Sequence, residues 1–488
     1  MARENLSDGE KNSFIVPKVN LLTMFRLGLF QMGLGIMSLL TLGVLNRIMI
    51  KELAIPATLV AGTIAMHQFV APARLWFGQL SDAKPFFGYH RTGYVWVGAA
   101  MLALTAFLAV QVTWQLGASF YSSGWTTSTY GWIALLAGIF AFYGLTLSSS
   151  STPFAALLVD ISDEDNRSKL IGIVWSMLMV GIVIGAIISS KLLPGATSCQ
   201  EASQGTISLF KQPQQLAALQ NSINRLFLLL PAVVFGLSVI STFGVEKKYS
   251  RYHLRSTVAQ REDQITLSKA LKVLTASRQT GLFFTFLLVM TISLFMQEAV
   301  LEPYGGEVFG MCVSDTTRLN AFWGTGTLIG ISSTGFLIVP RIGKQKTAQL
   351  GCFLVAITMV IIIFSGFTAN QKLLQGALIL FGLASGVTTT GALSLMLDLT
   401  AAETAGTFIG AWGLAQAIAR ALATVSGGAV LDIGKQLFGQ QVLAYSLVFG
   451  LQAVGMLVAI WFLKRVNVRE FQSNAKQAIS SILESDLD

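Results

Sequence analysis

Twelve stretches of about 20 apolar residues, separated by short polar segments, confine this chain to one kind of architecture. They fall near 24–45, 57–77, 92–113, 130–152, 169–192 and 223–244, and then near 280–300, 319–340, 347–366, 372–397, 407–431 and 441–463. Twelve bilayer crossings would use about 240 residues, half of the 488 in the chain. The rest suffices for loops and short tails, and is too little for a second large soluble domain. Inside a bilayer every backbone polar group needs a partner within the protein, so spans of this length must be helical. Charged residues are only 12% of the chain, against roughly 25% in an average soluble domain. Lipid rather than water must therefore cover much of the surface, and the chain reads as an all-α integral membrane protein.

Orientation follows from lysine and arginine, which are retained on the cytoplasmic side. With the N-terminus inside, the inner segments hold 22 of these residues and the outer segments hold 8. That asymmetry predicts both termini in the cytoplasm and an even number of spans. The net charge of +9, which would suggest nucleic acid in a soluble protein, is accounted for by these topology signals; nucleic acid is not expected as a partner. The polar N-terminus has no short apolar run followed by a cleavage site, so the first span is expected to serve as the insertion signal.

The longest inner loop, 245–278, divides the spans six and six. The expected organisation is an N-terminal half at 1–244, a basic linker at 245–278, a C-terminal half at 279–463 and a tail at 464–488. In the linker, Leu267, Ala270, Leu271 and Leu274 recur at helical spacing with Lys269 and Lys272 between them. This reads as an amphipathic helix on the membrane surface or as a linker helix packed under the bundle. Phe471, Ala475, Ile479 and Ile482 form a second such face in the tail.

A gapless shift of 238 residues places Gly144 and Leu145 on Gly382 and Leu383, Thr152 on Thr390, and Asp160 on Asp398. The hydroxyl cluster Ser150, Ser151 and Thr152 falls on Thr388, Thr389 and Thr390, and the small pair Gly181 and Gly185 falls on Ala419 and Ala423. Spans four and five thus match spans ten and eleven. The inner loop after span two runs from Gly78 to Asp82, then Gly88 and Arg91. Two six-helix halves, parallel repeats and this glycine–aspartate–arginine loop resemble the major facilitator architecture. Gly78, Asp82, Arg91, Asp160 and Asp398 are the expected gating residues. The matching second-half loop, Val339 to Lys344, lacks the acid.

Ionisable groups within a bilayer are costly and usually mark a cavity or a partner. Arg26 and Gln31 lie in the first span; Arg26 either snorkels to the headgroups or serves a cavity. His67 is the histidine within a span, and a neutral imidazole there could ligate the magnesium of a chlorophyll or simply pack. Gln297, Glu298 and Glu302 close span seven. The two acids are four apart, hence on one helical face, and Pro303 with Gly305 and Gly306 is expected to break that helix. Broken helices expose backbone polar groups and mark binding sites. Arg420 in span eleven is a candidate partner for one of these acids. The chain carries no GK[ST] phosphate loop, no HExxH and no GxSxG, so an enzyme is not expected. The cysteines, Cys199, Cys312 and Cys352, are too dispersed for a metal cluster. Cys199 and Cys312 fall on the same outer side, where a disulfide is conceivable, although spacing alone says nothing about reach.

Two segments carry a sharper resemblance. Residues 24–97, with FRLGLFQMGLGIM, LNRIMIKELAIPATLV and FVAPARLWFGQLSD, and residues 301–311, LEPYGGEVFGM, are similar to the bacteriochlorophyll delivery family, the PucC-type light-harvesting assembly proteins. The resemblance implies a role in assembling chlorophyll-binding light-harvesting or photosystem proteins, with chlorophyll or bacteriochlorophyll as the associated pigment, in a thylakoid or bacterial inner membrane. The positions it carries over are Arg26, Gln31, Asn46, Arg47, Glu52, Asp82, Glu302, Pro303, Tyr304, Gly305 and Gly306. The outer loop at 193–222 has no counterpart in it. Two other readings stay open at this point. One is a proton-coupled transporter of a small solute, using Glu298, Glu302 or Asp160. The other is a cargo-free scaffold held to its partners by the surface helices.

Overall fold

The computed structural model describes residues 19–162, 164–193, 213–250, 278–399 and 405–467. The amphipathic segment at 267–274, the tail face beyond Phe471, Cys199 and the side chain of Asp398 lie outside the described residues. What is described is nearly all helix: α1 (Leu21–Glu52), α2 (Ala57–Phe69), α3 (Ala73–Ala83), α4 (Thr92–Ser123), α5 (Thr127–Ile161), α6 (Glu164–Leu192), α7 (Pro213–Thr242), α8 (Val245–Tyr249), α9 (Arg278–Phe295), α10 (Leu301–Phe309), α11 (Val313–Ser333), α12 (Lys344–Phe367), α13 (Gln371–Leu399), α14 (Ala405–Leu437) and α15 (Gln441–Arg465).

Ten of the described helices are long and apolar enough to cross a membrane, where the sequence predicts twelve. The two remaining apolar stretches are helical but interrupted or polar. Residues 57–77 split into α2 and α3 around a turn at 70–72 that ends on Pro72, a residue that cannot donate to the preceding turn. Residues 319–340 belong to α11, which carries Asp315, Arg318 and Asn320 and then loosens into a π-helical segment, Thr334–Ile338.

Neighbouring helices follow one scheme twice. In the N-terminal set α1 packs on α6 and α7, α4 on α5 and α7, and α2 on α5. In the C-terminal set α9 packs on α14 and α15, α12 on α13 and α15, and α11 on α13. The largest contacts between the sets, α2 with α14 and α6 with α11, are also exchanged by the same correspondence. Small residues permit the close approaches. A Cβ on Gly144 would strike the backbone of His67 on α2, and one on Gly382 would strike the backbone of Trp323 and Thr327 on α11. Ser150 meets Gly98 of α4, and its repeat partner Thr388 meets Gly351 of α12. Gly181 lies against the Met32 backbone of α1.

Cys312 is disulfide-bonded, whereas Cys352 is a free thiol buried in α12.

Candidate functional site

The end of the bundle that the lysine and arginine count places outside is closed by α1. Its last turns are π-helical, Leu39–Leu45 and Ile48–Glu52, which swings consecutive polar side chains toward the C-terminal helices. Asn46 donates from Nδ2 to the Ala299 carbonyl at 2.8 Å. Arg47 is 1% exposed; it donates to the Met311 carbonyl at 2.9 Å and pairs with Glu52 at 3.0 Å. Lys51 donates to the Gly306 carbonyl. A Cβ on Gly306 would meet the side chains of Lys51 and Arg47, so glycine is needed there for contact rather than for a bend. Asp432 of α14 caps α2 from across the molecule, accepting from the Ala57 and Thr58 amides at 3.0 and 2.7 Å and from the Thr58 hydroxyl at 2.6 Å. Among the described residues, the hydrogen bonds that join the two helix sets gather in this layer.

The helix after span seven breaks earlier than the sequence predicts. It passes into a 3-10 turn at Met296–Ala299 and restarts as α10, with Pro303 in the first turn and Gly305 and Gly306 inside. Proline is tolerated in a first turn, where its missing N–H has no partner to lose. The break separates the two acids that one continuous helix would align. Glu302 is buried, accepts from Asn320 Nδ2 and lies against Gly43 of α1. Glu298 stays in the 3-10 turn, within the electrostatic reach of Arg420. Tyr304 is fully buried; its hydroxyl donates to the Ile362 carbonyl at 2.9 Å, and its ring packs on Phe309, Tyr445 and Phe449.

Arg420 forms no ion pair with either acid among the described residues. Its guanidinium lies 3.8 Å over the Phe295 ring, a cation–π arrangement, and its Nε is buried without a hydrogen-bond partner. Glu298 Oε2 and Gln297 Oε1 are likewise buried and unpartnered. His67 on α2 is half-buried and edge-on to Tyr143 at 6.1 Å. Its Nδ1 lies at the Ile64 carbonyl. A carbonyl only accepts, so Nδ1 carries the proton and Nε2 keeps the lone pair that could ligate a metal. The ring chemistry therefore fits a pigment magnesium. Arg74, at the start of α3, and Arg420 both act electrostatically on His67.

At the opposite end, Arg91 pairs with Asp82 and with Asp160 at 2.9 Å, and donates to Ser81 Oγ at 2.6 Å. Burial opposes the Arg91 charge, and Asp160 and Asp82 more than offset it, so its pKa lies above the ordinary arginine value. Asp82 thus has an ion-pair partner within its own helix set. Gly78 of α3 approaches Thr152. Glu246 of α8 caps α4, accepting from the amides of His90, Arg91 and Thr92 at 2.7 to 3.2 Å. Arg26 is bonded to the Ile240 and Phe243 carbonyls; it closes the C-terminus of α7, as a basic residue at a helix end does. Gln31 is buried in α1.

Asp432, Glu246, Asn320 and Arg74 were not among the residues singled out from sequence. Asp432 sits 375 positions from the helix it caps, so no local pattern could reveal it. We expect Asp432→Ala to lower stability by about 1–2 kcal/mol, the cost of a lost N-cap. Thermal melting in detergent would measure this. An unchanged melting temperature would mean that the cap carries no weight.

Comparison with known proteins adds to this geometry. The family model described as PUCC protein matches residues 44–471. The "Bacteriochlorophyll synthase 44.5 kDa chain" of Rhodobacter capsulatus is 30% identical, over 90% of this chain and 94% of that one. "Protein PucC" of the same organism is 27% identical, over 91% and 92%. Among solved structures, the nucleoside transporter NupG matches with a TM-score of 0.65 at 11% identity, over 91% of this chain and 99% of that one. A D-xylose-proton symporter matches with a TM-score of 0.61 at 13% identity, over 91% and 97%. At such identities these two speak for a transporter-type fold alone.

Proposed function

Because the chain belongs to the PUCC protein family, we propose that it is a membrane assembly factor or carrier for chlorophyll and chlorophyll-binding light-harvesting or photosystem proteins, and not an enzyme. The family match over most of the chain carries this reading, supported by relatives named PucC in photosynthetic bacteria. The duplicated neighbour scheme of the helices supports twelve spans in two six-helix halves, with α2–α3 and α11 as the two less apolar spans. Both termini then face the cytoplasm of a photosynthetic membrane.

Cargo would enter the region between the halves, where Gln297, Glu298 and Arg420 carry unpartnered buried atoms. His67 would supply a ligand to pigment magnesium through Nε2. The closed layer at Asn46, Arg47, Lys51 and Asp432 would be the outer gate. A solute-transport reading draws on the fold neighbours, and a scaffold reading would need no cargo at all.

The discriminating experiment isolates tagged protein from its photosynthetic host in mild detergent. We expect chlorophyll-type pigment at a fixed ratio, together with chlorophyll-binding proteins. A colourless preparation that still holds those proteins would favour the scaffold. A colourless preparation with no such partner would favour solute transport.

A further inference from the structure

The loop between α3 and α4 turns in a two-residue hairpin. Phe86 and Tyr89 exchange both backbone hydrogen bonds, at 2.8 and 3.1 Å, around Phe87 and Gly88. Both turn residues have positive φ, 52° at Phe87 and 76° at Gly88. A turn of this kind favours Asn-Gly, and a bulky side chain at its first position is an outlier that the surrounding structure has to hold in place. Here it is held from both ends. Phe86 packs on Tyr94 of α4 at 5.7 Å, and the Tyr94 hydroxyl donates to the Lys84 carbonyl at 3.0 Å. Gly93 leaves room for the Phe86 carbonyl, which a Cβ there would strike. Glu246 of α8 fixes the far end through the amides of His90, Arg91 and Thr92. Phe87 therefore stands 71% exposed at the tip of a braced and strained turn.

The place of the hairpin decides what the tip meets. Tyr89 packs on Trp96 of α4 at 5.9 Å. Trp96 in turn donates to the Thr242 hydroxyl at 2.9 Å and stacks on Phe243 at 6.3 Å, so the hairpin stands beside the inner end of α7. The main contacts of α4 and α7 are with each other and with α5 and α1, so the pair walls the N-terminal set away from its contacts with α14 and α11. Both helices are long and apolar enough to cross a membrane, and their adjoining ends mark where the bilayer surface begins. Lys84, Lys247 and Lys248 are exposed on this rim, with the Lys247 Nζ 5.1 Å over the Tyr89 ring. The acids nearby are engaged, Glu246 by amides and Asp82 by Arg91. An exposed aromatic ring among surplus lysines at the end of a span is complementary to an anionic lipid surface. We propose that this hairpin is a lipid anchor: Phe87 enters the headgroup region of the inner leaflet, while Lys84, Lys247 and Lys248 bind anionic headgroups. The anchor fixes to the bilayer the loop whose two flanks, Asp82 and Arg91, form the inner ion pairs.

The test places a fluorescent label at the tip. Phe87→Cys, in the full chain with Cys352→Ala to remove the free thiol, is labelled with NBD in nanodiscs of phosphatidylcholine with and without phosphatidylglycerol. We expect quenching by a shallow doxyl-labelled lipid and protection from aqueous iodide. Phosphatidylglycerol should strengthen the lipid quenching at least about twofold, because each lysine close to an anionic surface adds to the attraction. The triple variant Lys84→Gln, Lys247→Gln, Lys248→Gln should lose that gain. Phe87→Gly gives a readout that needs no label. Glycine adopts positive φ without strain, so this variant should melt in detergent at or above the wild-type temperature. In nanodiscs it should lose most of the rise in melting temperature that phosphatidylglycerol gives the wild type. A melting temperature lowered alike in detergent and in nanodiscs would make Phe87 a packing residue and overturn the proposal. A label quenched by iodide and untouched by the doxyl lipid would overturn it as well, and would leave the tip to a water-soluble partner. Lipid quenching indifferent to phosphatidylglycerol would overturn the headgroup role of the lysines. No arm involves pigment, so the result stands apart from the carrier reading.

Discussion

Arg47→Ala is expected to destabilise the protein by about 3 kcal/mol or more, the usual result of removing one partner from a buried ion pair. The side chain is 1% exposed and Glu52 is 18% exposed, so water can restore little of what the carboxylate loses. The substitution also strips the Met311 carbonyl of its 2.9 Å donor and empties the volume under Gly306. Because Arg47 joins α1 to the segment after α10, the loss should also loosen the layer that closes this end. Thermal melting in mild detergent measures the first effect. Arg47→Lys should lie between alanine and wild type, since it keeps the charge without the planar fork. A melting temperature for Arg47→Ala within about a degree of wild type would remove the residue from the closing layer.

The parts of this molecule that sequence made legible are those set by lengths and repeats. A bilayer demands about 20 apolar residues per helix, and that demand is visible whatever the neighbours do. The Gly78 to Arg91 loop was legible as well, because Asp82 and Arg91 are close in the chain; the pairing of Arg91 with Asp160, 69 positions away, needed the fold. The break in span seven was misplaced for a physical reason. Pro303 and the two glycines look like breakers, yet Pro303 sits where a helix begins and the glycines serve close contact, while the turn at Met296–Ala299 contains neither residue type. It forms where the chain must hold Met296 against Gly427 of α14 and present Asn46 with the Ala299 carbonyl. Both demands come from other helices. The same holds for Asp432 and Asn320, whose partners are fixed by tertiary contact.

The repeat makes a sharper claim than resemblance between halves, because it predicts which substitutions should behave alike. Gly144→Leu and Gly382→Leu should each cost more than about 3 kcal/mol, since a side chain there meets backbone rather than a flexible side-chain end and the helices cannot repack around it. On Gly382 the obstacle is the Trp323 carbonyl, the Thr327 amide at 2.7 Å and the Gly326 Cα at 2.9 Å. On Gly144 it is the His67 carbonyl and the His67 Cα at 2.7 Å. The shift of 238 residues that pairs these two also pairs Gly138 with Gly376, one helical stretch earlier on α5 and α13. A Cβ at either meets nothing within 4 Å, so Gly138→Leu and Gly376→Leu should stay within about 0.5 kcal/mol of wild type. Yield of folded protein from membranes and melting temperature would read all four. Equal damage from Gly376→Leu and Gly382→Leu would show that α13 tolerates no bulk anywhere, and the contact with α11 would lose its special place. The expected split, repeated on α5, would mean that each half keeps the same two helices in register by the same means. It would also support the proposed cargo site between the two helix sets, which meet mainly through α2 with α14 and α6 with α11 and could then move without unpacking their own helices.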